Sequence, residues 1–401
     1  MAKKVVNLIS SRSHFPALTG IRAIAVTMVF FFHNFEMFRP FGNWAVAIAK
    51  EFHTGVPLFF VLSGFLITFR YSKNYQPSSS WWKGYLQNRF ARIYPVYLLI
   101  TIATLWAFHV VDPFEWVISL SLTKGYFFGY RFNGIRQIWS LTVEETFYLF
   151  APLMFVLMKR FHPLAILGAV YLLGTAVAVM AAKLPLGVFA SDPVYIADHT
   201  FFGQAFTFII GAWLAVSLLK GKQKIPVFEL LGPIKATYAG AAGIGGMILA
   251  LTLFQGSEYW SVSIFNWKGI LFHHLLLPVF IATLFYGLIM ERTWIQKVLS
   301  SRFFDVLGRS SYLFYLIHYG IVASWLSQYT SLGAPLGSAL ERAALFILLW
   351  GVSIAIYLLV EEPLHWILRS KPSSVSQTKK DEPINARLAR IPRRLGSAKK
   401  V

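Results

Sequence analysis

Long apolar runs separated by short polar and basic segments set the pattern of this chain. A helix needs about 20 mostly apolar residues to cross a bilayer. Ten runs meet that length: residues 17–36, 53–71, 91–110, 141–158, 163–182, 200–219, 236–254, 269–290, 311–329 and 339–360. A further run near 114–128 is shorter and carries Lys124, which marks it as interfacial or re-entrant rather than spanning. The pattern predicts an all-α polytopic membrane protein with about ten transmembrane helices. Residues 1–14 then form an N-terminal segment, 15–370 a ten-helix membrane domain, and 371–401 a basic tail rich in Ser and Pro, of disordered composition and suited to lipid headgroups. The basic N-terminus before an apolar run resembles a signal peptide, but the run is long, contains Arg22 and is followed by nine more, so an uncleaved first helix is expected. No internal repeat is evident.

Composition agrees. Of 401 residues, 56% are hydrophobic and only 13% are charged, about half the roughly 25% usual in soluble domains. Mean hydropathy is +0.58. Collagenous, disordered, coiled-coil and nucleic-acid-binding classes are excluded. With no cysteine, disulfides, Fe–S clusters and thiol nucleophiles are excluded too. Net charge is +20, from 37 Lys and Arg against 17 Asp and Glu. Distributed over the ten runs, 28 of those 37 fall on one side and 8 on the other, with Arg22 inside the first run. The excess of basic residues marks the cytoplasmic side, so both termini are expected in the cytoplasm.

Ionisable residues inside apolar runs cost roughly 2.5–3.5 kcal/mol or more at the bilayer centre, which makes them informative. Arg22 and His33 lie 11 residues apart on the first run. Eleven steps of 100° close to within about 20° of full turns, so both share a face about 16 Å apart along the axis. Snorkelling of Arg22 and ordinary packing of His33 account for them equally well in isolation. The fourth run opens Trp139-Ser140-Leu141-Thr142-Val143-Glu144-Glu145. Acidic residues suit a helix N-terminus, but two adjacent carboxylates a turn inside exceed what capping needs. A carboxylate that orients an imidazole is a general-base arrangement, and Glu144 or Glu145 is expected to meet His33.

Arg89 and Arg92, spaced i, i+3 at the start of the third run, share a helix face. Anchoring explains most basic residues at such places, yet guanidinium pairs also suit phosphate oxygens. Ser63 and Gly64 on the second run fit close helix packing. His318 is placed in the middle of the ninth run, and Glu361-Glu362-Pro363 closes the tenth. Asp198, His199, His273 and His274 lack the spacing of a dedicated metal site, since adjacent histidines diverge on a helix, and no metal is expected. No G-x-S-x-G elbow, P-loop or H-E-x-x-H motif occurs.

Six segments nonetheless form a pattern. Phe15-Pro-Ala-Leu-Thr-Gly-Ile-Arg22 leading to His33, GVPLFFVLSGFLIT (55–68), RFARIYP (89–95), WSLTVEETFYLFAPL (139–153), LGRSSYLFYLIH (307–318) and VEEP (360–363) together resemble the acyltransferase-3 family, in family order across residues 15–363. Thr142 stands where serine is more usual. The resemblance implies a ten-helix O-acyltransferase of the bacterial cytoplasmic (inner) membrane, moving an acyl group, acetyl above all, from cytoplasmic acyl-CoA to a hydroxyl. Acceptors in the family are surface or exported glycans such as lipopolysaccharide, exopolysaccharide and peptidoglycan, or macrolides. By position His33 resembles the catalytic histidine, a general base or acyl carrier, with Arg22 in the donor path. Arg89 and Arg92 match the acyl-CoA motif. Glu144 and Glu145 match the paired acids, and Glu361 the terminal-helix acid. Ser63 is expected on the acyl-CoA side with Arg89 and Arg92, and Arg22 or Ser63 at the developing oxyanion. Acyl-CoA is then a substrate, with no tightly bound cofactor. Expected partners are membrane lipids and a glycan or lipid-linked saccharide, with no nucleic acid. Without the esterase-like domain fused to some members, transfer is expected to finish in the membrane domain or on a separate partner. The rival readings are a secondary transporter or flippase using the same His and Glu residues as a proton relay, and a noncatalytic scaffold docking through its tail.

Overall fold

The computed structural model describes residues 14–181, 183, 193–221, 234–259, 261–330 and 337–369; residues 1–13 and the basic tail 371–401 lie outside the described residues. The chain is an all-α, multi-pass membrane protein. Its long helices are α1 (Pro16–His33), α2 (Gly55–Tyr71), α3 (Ser79–Ala107), α4 (Trp139–Arg160), α5 (Pro163–Ala181), α6 (Phe201–Leu219), α7 (Ala236–Thr252), α8 (Trp267–Met290), α9 (Arg302–Ile317) and α10 (Ala339–Leu368). Among the described residues, eight helical spans are long and apolar enough to cross a bilayer, α2 being counted together with the helical turns that lead into it from Asn43; α7, with 17 residues, and α9, with 16, are shorter.

Two elements differ from the apolar pattern. Helix α3 starts at Ser79, a dozen residues before the apolar run, because Ser78 caps it by accepting from the Trp81 amide (3.3 Å). Arg89 and Arg92 therefore stand in mid-helix and not at its mouth. Helix α9 starts at Arg302, capped by Ser301, and its first turns are polar: Arg309 Nε donates to Asp305 Oδ2 at 2.9 Å, one turn apart. It ends at His318, where Gly320 takes φ +118°, a conformation glycine adopts without strain. A separate short helix, Ile321–Ser327, follows. The segment carrying Lys124 holds an eight-residue helix, Pro113–Leu120, too short to cross.

Helix association in lipid depends on close packing. Gly64 of α2 and Gly211 of α6 face one another's helices so tightly that a Cβ on either would collide with the carbonyl of Phe208 or Val61. Above this contact the rings of Phe60 and Phe147 stack on Phe208 at 4.8 and 4.4 Å. Phe60 and Phe147 each lie three residues from a polar residue, Ser63 on α2 and Glu144 on α4. The stack thus sets the register that brings those two polar groups together.

Candidate active site

Ser140, Glu144 and Tyr148 recur every four residues on one face of α4, so they line up along it. Glu144 is the centre of this line: both Ser63 Oγ and Tyr148 Oη donate to its Oε1. Ser140 Oγ meets Tyr315 Oη of α9. A polar seam therefore runs through the bundle between α2, α4 and α9.

Three arginines approach the Tyr148 end of the seam. The Arg92 guanidinium donates to Glu361 Oε1 and forms an ion pair with it, Glu361 being 3% exposed. Glu361 reaches inward because α10 widens into a π turn over Tyr357–Glu361. Arg89 lies 5.5 Å from the ring centres of both Tyr71 and Tyr148, donates to Tyr71 Oη at 3.3 Å, and keeps a buried Nε without a hydrogen bond. Arg22 forms no hydrogen bond among the described residues; it sits in the field of Glu144, Glu361 and Arg92. Glu145 lies in the field of Glu144 and Arg89 and has a buried Oε1 without a hydrogen bond.

His33 lies apart from this layer, at the last position of α1. Its ring stacks on Tyr319 at 4.7 Å and faces His318 at 5.3 Å between centroids. His318 Nδ1 is 2.8 Å from the Tyr315 carbonyl oxygen. A carbonyl only accepts, so the neutral ring carries its proton on Nδ1 and Nε2 is left as a bare acceptor. That Nε2 is buried and has no hydrogen bond. Arg136 Nη1 donates to Tyr319 Oη (3.2 Å), fixing the ring behind His33.

The expected meeting of His33 with Glu144 or Glu145 does not occur. Glu144 lies five residues inside α4, about 7.5 Å along the axis from Trp139, and Ser63 and Tyr148 hold it there. The imidazole partner is His318 instead, placed at the end of α9 and not mid-span. Arg92, expected to face a phosphate, is engaged by Glu361. Sequence reasoning missed Gln137, whose Nε2 donates to the carbonyls of Tyr315, Leu316 and Tyr319 (3.0, 3.0 and 3.1 Å) and so holds the break that presents His318. It missed Tyr315 and Tyr319 too, although their spacing about His318 in YLIHY was a visible polar face.

The expectation that His273 and His274 diverge also fails. Both sit in a π turn of α8, Phe272–Leu276, with ring centroids 4.8 Å apart. Asp198, on the short helix Pro193–His199, comes beside them, and one ligand atom from each of the three lies within 4.8 Å of the others.

The geometry can be set against known proteins. An acyltransferase domain model matches residues 15–358. The chain belongs to the acyltransferase-3 family. It is 29% identical over 339 residues to the peptidoglycan O-acetyltransferase OatA of Listeria monocytogenes, covering 78% of this chain and 50% of that protein. It is 28% identical over 335 residues to the putative peptidoglycan O-acetyltransferase YrhL of Bacillus subtilis, covering 77% and 49%. A putative O-acetyltransferase of Staphylococcus aureus strain COL is 24% identical over 349 residues, covering 79% and 52%. The chain thus spans about half the length of the curated relatives it matches. No solved structure matches. The matched acyltransferase-3 region takes in His33, the polar seam and His318, and stops three residues short of Glu361.

Proposed function

We propose that the chain is a membrane O-acetyltransferase that moves an acetyl group from cytoplasmic acyl-CoA to a hydroxyl of a glycan, peptidoglycan being the class its relatives' names suggest. The family match carries the reaction class. The residue roles rest on the geometry of the seam and of the His33–His318 pair.

His33 takes the proton of the acceptor hydroxyl as the oxygen attacks the thioester carbonyl. The C–O bond forms, the C–S bond breaks, and the proton passes to the leaving thiolate of CoA. Imidazole suits this because its ordinary pKa lies near neutrality. His318 supports the step through its bare Nε2, which can accept an N–H from His33 and so fix its tautomer. Stacking on Tyr319 limits rotation of the ring.

Among the described residues neither Arg22 nor Arg89 forms a direct ion pair with a carboxylate, though each lies in the field of one, so they are the cations available to the donor's phosphates and developing oxyanion. Arg92 and Glu361 hold the layer in place around them. Glu144, bridged by Ser63 and Tyr148, orients the seam through which the thioester reaches His33.

The test is acyl transfer in proteoliposomes, with radiolabelled acetyl-CoA as donor and isolated peptidoglycan or crude surface glycan as acceptor. Label should enter glycan with the wild type and fall at least a hundredfold with His33→Ala. Equal transfer by both would remove His33 from the mechanism. No transfer by folded wild type over a panel of donors and acceptors would favour transport by a proton relay.

A further inference from the structure

We infer that Asp198, His273 and His274 bind a divalent first-row transition ion, Zn2+ or its spectroscopic substitute Co2+, at a buried three-ligand site, its fourth position left to water, that ties the short helix Pro193–His199 to α8. Several observations converge on this.

All three residues are buried, at 5%, 2% and 3% exposure. Both ring nitrogens of His273 and both of His274 are buried without a hydrogen bond. A buried polar group left unpaired costs about 1–3 kcal/mol. A metal ion would use one lone pair on each ring and remove that cost in part. Two imidazoles and a carboxylate form a borderline donor set that suits zinc and cobalt better than the all-oxygen preference of magnesium or calcium.

The backbone favours such a site. An ordinary α-turn separates neighbouring side chains, but the π turn at Phe272–Leu276 sets the two rings edge to face, 4.8 Å apart. Asp198 is anchored from below by Gln204, whose Nε2 donates to the Asp198 carbonyl at 3.0 Å. Ligand atoms within 4.8 Å need to close to the ~3.3 Å edge of a zinc tetrahedron.

A second carboxylate stands nearby. Glu51, fully buried, accepts from Ser263 N (3.0 Å), Ser263 Oγ (2.6 Å) and Gln255 Nε2 (2.7 Å), and lies 3.1 Å from His53 Nε2. The His53 ring lies 4.7 Å from that of His273. Asp198 supplies the one carboxylate of the ligand set, and Glu51 reaches the site only through His53, whose ring rests on that of His273. His53 also packs on Phe32 at 5.6 Å, the residue before His33. The ion therefore stiffens the shelf on which His33 rests while touching no part of the His33–His318 pair.

The experiment uses the full chain, purified in detergent through a tag without histidines and stripped with chelator. Metal content after Zn2+ reloading and gel filtration should be about one ion per chain, and Co2+ should give the visible absorption of a tetrahedral site. Zn2+ should raise the thermal midpoint of the wild type. His274→Ala and the gentler His274→Gln and Asp198→Asn should lose at least nine-tenths of the bound ion and the thermal response, while His33→Ala keeps both. A monodisperse wild type that retains no ion would overturn the assignment. So would variants that bind and respond as the wild type does, which would place the metal on surface histidines.

Discussion

Replacing Glu361 by leucine should destabilise the fold far more than replacing Glu361 and Arg92 together. The carboxylate is 3% exposed and the Arg92 side chain 25%, so removal of one partner strands a charge that water reaches poorly. Breaking a buried pair costs about 3–5 kcal/mol, and the partial exposure of Arg92 places this one near the lower end, about 3 kcal/mol. Arg22, which shares the field of Glu361, keeps Glu144 in every variant. The double variant Arg92→Met, Glu361→Leu has no stranded charge and fills the site with apolar volume. It should fall within about 1 kcal/mol of the wild type, leaving a coupling of about 2–3 kcal/mol between the two positions. Unfolding in mixed micelles by SDS titration, followed by tryptophan fluorescence, measures all four corners of this cycle. Activity adds a second reading. The folded double variant should show less than about a threefold rise in KM for acetyl-CoA, whereas Arg89→Ala should raise it about tenfold or more, as the loss of a charge-assisted contact does. Additivity of the two single changes within about 0.5 kcal/mol would refute the pairing. A large KM effect in the stable double variant would return Arg92 to the donor's phosphates.

His33→Ala should abolish transfer, and His318→Ala should lower kcat by about 10²–10⁴ with little change in KM for acceptor; an unchanged kcat would exclude a role for His318 in the proton step. Gly211→Ala should cost about 1–3 kcal/mol by pushing α6 off the Val61 carbonyl, read as loss of SDS resistance, and wild-type resistance would show that the helices can part without penalty. Lys124 is buried beside Glu115 at 3.9 Å and donates to the Asn133 carbonyl, and burial pushes its pKa down to about 8 from 10.5. Below pH 8 the amine is charged in both folded and unfolded chains, so the full cost of burying it is present; between about pH 8 and 10.5 the unfolded chain binds more protons, and stability rises with pH. The thermal midpoint of the wild type should therefore gain on that of Lys124→Met as pH goes from 7.5 to 9.5, and a constant difference would show that the amine keeps its ordinary pKa.

Helical arithmetic placed Arg22 and His33 on one face and found every charged residue of the seam, because a charge in an apolar run is conspicuous whatever surrounds it. Pairing was not legible. Whether Glu144 meets His33 or Ser63 depends on the depth at which α2 and α4 cross, and that depth is set by three phenylalanines among the 37 in the chain. Apolar counting also placed α3 and α9 wrongly. Helix α9 opens with polar turns in which Arg309 pairs with Asp305, and α3 starts early on its Ser78 cap and carries Arg92 in mid-helix, where Glu361, distant in sequence, pairs with it. The π turns of α8 and α10 left no local signal, since such turns answer to tertiary packing. They are what carried His273, His274 and Glu361 to positions that ordinary helical spacing does not give.

The charged layer also explains why its members resist simple assignment. Arg22, Arg89 and Arg92 oppose Glu144, Glu145 and Glu361 within one buried neighbourhood, with Glu362 beside Glu361. A membrane interior tolerates such a set only where its members pair with one another. Deleting any one group therefore leaves net charge in a low-dielectric site and threatens the fold before it reveals a catalytic role. Alanine scanning of this layer alone will report six essential residues and distinguish none of them. Charge-balanced double replacements separate the roles, because a pair that serves only to hold the helices can be exchanged for apolar residues without loss, whereas an arginine that receives the donor's phosphates cannot. His33 and His318 stand outside this constraint, being neutral in the resting protein as proposed. For them, loss of activity with the fold retained is a direct statement about chemistry.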